Sequence, residues 1–127
     1  MDKAALAIEK HQKGYNCAQA VLSVFADELG FDEVTAYKLM EGLGGGVGGM
    51  RDICGAFSAA AAVIGFYKSS GSMDGKTKQA TYKTVRDAAE LFKEKYDSVI
   101  CREILEKHPE SCDEKIAHAV RVIEEII

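Results

Sequence analysis

Between Ile53 and Tyr67 the chain carries no charged side chain, and the middle of that stretch reads Ala59-Ala60-Ala61-Ala62-Val63-Ile64. Alanine is the best helix former, and a helix that is small and apolar on every side is buried on every side. In a chain of 127 residues, such a helix demands other helices wrapped around it. It is also too short to cross a bilayer, which takes about 20 apolar residues.

The flanking sequence supplies those helices. A first covers about 1–13 and stops at Gly14. Asn16 is placed to cap a second, in which Ala18, Val21, Leu22, Phe25 and Leu29 share one face up to Gly30. Asp32 caps a short third through about Met40, and Asp52 a fourth, from about Ile53 to Phe66. A loop over 68–76 leads to a fifth helix over about 77–96, with Tyr82, Val85, Ala89, Phe92 and Tyr96 directed at the core. Asp97 or Ser98 begins a sixth, ending before Pro109. Ser111 and Glu114 have capping-box spacing for a last one, striped by Ile116, Ala119, Val120, Ile123 and Ile127. No run alternates as a strand does. The expected fold is all-α, a single domain over 1–127: a bundle of about six or seven helices around a buried Ala/Gly-rich central helix.

Composition narrows the function. The net charge of −4 argues against binding nucleic acid, where affinity comes from neutralising phosphates. Charges run through the first thirteen residues, so no secretory signal is read there. A cytoplasmic protein with no membrane insertion is expected, and in that compartment Cys17, Cys54, Cys101 and Cys112 are thiols by default.

All four cysteines fall in the first turn of an expected helix. A helix N-terminus carries about half a positive charge and unpaired N–H donors. It favours the thiolate and lowers the thiol pKa from about 8.5, giving a better nucleophile and a better metal ligand. Arg51 and Arg102 lie near Cys54 and Cys101. Against this, a free cysteine often serves only as a small buried hydrophobe.

The intervals between successive cysteines hold 36, 46 and 10 residues. None is a zinc knuckle or a ferredoxin spacing, so spacing gives a metal site little support, although a bundle can gather remote helix ends. His108 and His118 read as surface or hydrogen-bonded side chains rather than ligands. A Cys101–Cys112 bridge would constrain the unfolded chain by roughly 3 kcal/mol, but there is no C-x-x-C of the thioredoxin type. Gly42 to Gly49 hold six of the twelve glycines. The run matches neither GxGxxG nor a Walker loop. It reads as a tight turn between helices or, in a functional version, as backbone wrapped around a cluster or small ligand near Cys54.

The segment Gly14-Tyr15-Asn16-Cys17-Ala18-Gln19-Ala20-Val21-Leu22, the glycine run, Cys54-Gly55-Ala56, Cys101-Arg102-Glu103-Ile104-Leu105 and the final Cys112 together resemble the C_GCAxxG_C_C family, to which a redox role is assigned. The family's central motif is CGAxxG; here Ala59 stands at its last glycine. The resemblance implies a small helical protein often encoded near transporter genes. A similar domain occurs in a dimeric c-type cytochrome with an additional non-haem iron centre. The absence of C-x-x-C-H argues against covalent haem here.

The expectation is therefore a small redox-active protein in which Cys17, Cys54, Cys101 and Cys112 form one site. They either bind an iron–sulfur cluster or exchange thiol for disulfide, with Gly44, Gly45, Gly46, Gly48 and Gly55 giving backbone contacts to the site. In the thiol version, Cys17 or Cys54 attacks and a neighbouring cysteine resolves. The alternatives are a helical interaction module associated with a transporter, its cysteines structural, and a structural zinc protein. The redox partner is unknown, and a homodimer is left open.

Overall fold

Local capping chemistry sets most of the element boundaries in the computed structural model, which describes residues 2–30, 32–110 and 112–127. Asp2 accepts from the Ala5 N–H and starts α1, Lys3–Gln12. Asn16 caps α2, Cys17–Ser23, in a full capping box with Gln19. Then follow α3, Ala26–Leu29, closed by Gly30 in the left-handed region, and α4, Glu33–Met40, capped by Asp32. The remaining helices are α5, Gly55–Lys68, α6, Lys78–Tyr96, α7, Cys101–Lys107, and α8, Asp113–Ile126. Short 3-10 turns cover Glu41–Leu43 and Met73–Gly75. The described residues contain eight α-helices and no strand; one isolated antiparallel bridge joins Ile53 to Ile100.

The helix count exceeds the expected six or seven because the second helix is broken. The Phe25 N–H bonds to the Leu22 carbonyl, three residues back, which tightens the chain between α2 and α3. Phe25 still reaches the core, with 1% of its surface exposed.

Helix α5 packs against α2, α6 and α8, and α1 against α8 and α2. Ala56, Ala59, Ala60, Val63 and Ile64 of α5 are buried against Val21, Phe92, Ile116, Val120 and the rest of one core. The all-round burial expected of α5 is not found: Ala62, Phe66 and Tyr67 are exposed. Alanine on the open flank loses little by meeting water. Tyr82, expected in the core, is 51% exposed. Nineteen residues make α6 longer than α5, and its buried residues Ala88, Phe92 and Tyr96 all lie in its C-terminal half. Ile127, placed on the α8 stripe, is exposed as well. Asp52 does not cap α5, whose N-cap is Cys54, and Ser111 of the expected capping box lies outside the described residues.

Candidate functional site

Four helix starts converge on one cavity. Cys17 is the first residue of α2 and Cys101 the first of α7. Cys54 is the N-cap of α5 and Cys112 the N-cap of α8. All four line a single cavity of about 180 Å³. His11, Asn16, Gly45, Arg51, Ala56, Ile104, Leu105 and Lys115 complete its wall.

The backbone explains how cysteines so remote in sequence meet. The Cys54 N–H donates to the Val99 carbonyl at 2.8 Å, and the Cys101 N–H to the Asp52 carbonyl at 2.6 Å. These bonds flank the Ile53–Ile100 bridge and lay residues 52–54 antiparallel to 99–101. Cys54 and Cys101 are thereby held on neighbouring strands of chain. Cys17 arrives through α2, which packs on α5, and Cys112 through α8, which packs on both α2 and α5.

Gly55 makes the approach of α2 to α5 possible. A Cβ at position 55 would lie 2.5 Å from Cys17 Sγ and 2.8 Å from the Leu43 carbonyl oxygen, both inside contact distance. The glycine loop is mainly its own scaffold. The N–H groups of Val47, Gly48 and Gly49 donate to the carbonyls of Leu43, Gly42 and Gly44. Gly46 has φ +73° and would drive a Cβ into the Arg51–Asp52 backbone at 2.6–2.8 Å. Gly44 lies against the Asn16 side chain, so the same asparagine that caps α2 also seats the loop. Of the five glycines expected at the site, Gly45 lines the cavity and Gly55 borders Cys17, whereas Gly48 is exposed.

Electrostatics correct one expectation. Burial dominates at Cys54 and pushes its thiol up to about 12, although the Phe57 and Ala56 amides at the start of α5 act the other way. Burial also raises Cys112, opposed by the Lys115 charge. The helix N-termini are present as expected, but desolvation of the anion outweighs them. Both thiols are further raised by the negative charge that Cys17 and Cys101 carry when ionised, an effect of their proximity. Cys101 has a cation at hand: Arg51 Nη1 lies 3.9 Å from its sulfur. Arg51 itself holds a left-handed φ of 62°.

Two residues of the wall have no place in the sequence reading. His11 is fixed through Nδ1, 2.7 Å from Asp113 Oδ1. Lys115 is 3% exposed, and its Nζ donates to the carbonyls of His108 and Glu110. The other two histidines stand away from the cavity wall: His108 pairs with Asp97 and Glu110, and His118 Nε2 lies 3.4 Å from the Leu91 carbonyl.

All four cysteines are free thiols. Among the described residues no three His, Cys, Asp or Glu side chains stand close enough to share one metal ion. A single zinc would need its sulfurs about 2.3 Å from one point, so the side chains as they stand do not form that site. The four cysteines share the wall of one cavity and supply only sulfur donors, the ligand type that iron–sulfur groups take.

Residues 15–126 match the model of the family described as "Putative redox-active protein (C_GCAxxG_C_C)". The match spans most of the chain, which belongs to this family. No curated protein and no solved structure matches it. Among the described residues no helix is long and apolar enough to cross a membrane.

Proposed function

We propose that this member of a redox-active family works through one centre built from Cys17, Cys54, Cys101 and Cys112, and that the centre is a Cys₄ iron–sulfur site. The observation that carries the reading is the single cavity lined by all four cysteines. Two cysteines suffice for a disulfide; four around one volume match the ligand count of a cluster. When bound, such a group supplies one-electron transfer.

The protein's own residues do the rest. The four side chains ligate as thiolates, and Arg51, Lys115 and the starts of α2, α5, α7 and α8 offset their charge. Ala56, Ile104 and Leu105 limit water in the cavity. Gly55 keeps α2 close enough to α5 for Cys17 to take part. The protein acts with an external electron carrier, and a reducing compartment such as the cytoplasm suits its free thiols.

A second reading is favoured by the raised thiols of Cys54 and Cys112. Without a bound group the cavity prefers neutral sulfur, and a disulfide is neutral. In that version two thiols join as an S–S bond and release two protons and two electrons to a disulfide substrate, which leaves as two thiols. Cys101, beside Arg51, attacks more readily than buried Cys54.

Anaerobic purification followed by visible spectroscopy and assay of iron, zinc, acid-labile sulfide and free thiols separates the readings. Charge-transfer absorption with iron and sulfide supports the cluster. Reversible loss of two thiols without metal supports exchange. One colourless equivalent of zinc makes it a zinc protein. Four inert thiols and no metal leave an interaction module, such as one docking to a transporter.

A further inference from the structure

Lys115 occupies a position that is unfavourable for a cation on three counts. It is buried, and an ammonium removed from water is costly unless it is paired. It is the third residue of α8, in the first turn, where the helix dipole is positive and repels a cation. Its acidic neighbours in that turn are directed elsewhere: Asp113 holds His11 and Gln12, and Glu114 faces Lys95 at 3.9 Å. Among the described residues no carboxylate forms an ion pair with Lys115; its Nζ has two carbonyl oxygens, 3.1 and 3.3 Å away, and the face of the Tyr96 ring at 6.0 Å. The His108 carbonyl belongs to the C-cap of α7, whose dipole is negative at that end and offsets part of the ammonium charge, but neither carbonyl supplies a full negative charge.

Lys115 also lines the cavity of the four cysteines, three residues beyond Cys112, and its charge acts on the Cys112 thiol. We propose that Lys115 is a built-in counter-charge for an anionic centre in that cavity, and that it sets how readily the centre accepts an electron. This rests on the Cys₄ reading above. An external one-electron carrier adds one negative charge to the cavity, with no bond made or broken. A fixed buried cation stabilises that added charge more than the state before it, so Lys115 favours the reduced form. Lys115 acts through the charge of the centre and is a positioning residue rather than a catalytic one.

The test compares wild type with Lys115→Met, Lys115→Gln and Lys115→Arg, each reconstituted with ferrous iron and sulfide and titrated optically with a dye-coupled one-electron reductant. Lys115→Met and Lys115→Gln are expected to make one-electron uptake about tenfold less favourable, a midpoint lower by about 59 mV; Lys115→Arg stays near wild type. A second readout uses unloaded protein. If Lys115 served only to tie down the carbonyls after α7, its loss would lower the melting temperature. As a counter-charge without its anion, it is a burden in the unloaded state, so Lys115→Met melts at or above wild type. A loaded wild type whose midpoint is unchanged in both neutral variants overturns the inference, as does a lower melting temperature of both when unloaded. A wild type that takes up no iron and sulfide overturns the Cys₄ reading instead.

Discussion

Replacing Gly55 with alanine is the smallest change that challenges the site. The added methyl would meet Cys17 Sγ at 2.5 Å, the Leu43 carbonyl oxygen at 2.8 Å and Ala18 Cβ at 3.4 Å. The first contact is with a short side chain and the second with backbone, so neither yields cheaply. Ala18 and Ala56 beside it are fully buried, which leaves α2 no room to retreat without opening the core. Overpacking of this kind costs about 1–3 kcal/mol. Alanine's better helix propensity returns at most about 1 kcal/mol of that. For a domain of this length the net loss lowers the melting temperature by about 4 °C per kcal/mol. Gly65→Ala is the internal control: it lies in the same helix, and a Cβ there meets nothing within 4 Å. That variant should be stabilised by about 0.5–1 kcal/mol. Urea unfolding of both, with the accessibility of Cys17 to a thiol reagent, gives the answer. If Gly55→Ala is as stable as Gly65→Ala and Cys17 reacts as before, the close approach of α2 to α5 is wrong.

Asn16→Ala removes the cap of α2 and also the 3.1 Å bond from its Nδ2 to the Glu41 carbonyl, so it should cost about 1–2 kcal/mol or more in urea unfolding; a cost below about 0.5 kcal/mol would refute the dual role. Tyr96→Phe should be neutral or stabilising in the same assay, because the hydroxyl is buried with no hydrogen-bond partner among the described residues; a loss above about 1 kcal/mol would show that it has one. The Cys54 thiol, pushed up to about 12 by burial, holds its proton in the folded chain at pH values where the unfolded chain has released it. The folded state then binds more protons, so this group's contribution to stability is full below about pH 8.5 and is lost as pH rises towards 12. Cys54→Ala should flatten that alkaline decline in denaturant midpoints measured from pH 8 to 11; an unchanged slope contradicts the assignment.

The capping residues were the most legible part of the fold. Asn16, Asp32 and Gly30 act as their chemistry dictates, because each bond closes within three or four residues. Asp52 misled because its carbonyl is taken by the Cys101 N–H across a pairing 49 positions away, and that pairing has no local signature. The break at Val24–Phe25 was hidden for a similar reason: the apolar period continues through it while the backbone tightens. The cysteines were visible as helix starts, but their meeting depends on the 52–54 and 99–101 pairing and on how α2 and α8 pack, neither of which spacing encodes. Burial, too, is a property of the assembled core, and it reverses the expected acidity of Cys54 and Cys112. Lys115 did carry a signal in the sequence: a lone lysine behind two acids in a helix's first turn, against the dipole.

The central claim is that four sulfurs belong to one centre. Its most direct test is iron and acid-labile sulfide per chain in wild type and in Cys17→Ser, Cys54→Ser, Cys101→Ser and Cys112→Ser, all purified without oxygen and checked for folding by circular dichroism. The account predicts that wild type carries both and that each folded variant loses most of them to a similar degree. Two variants that retain the wild-type content would contradict it.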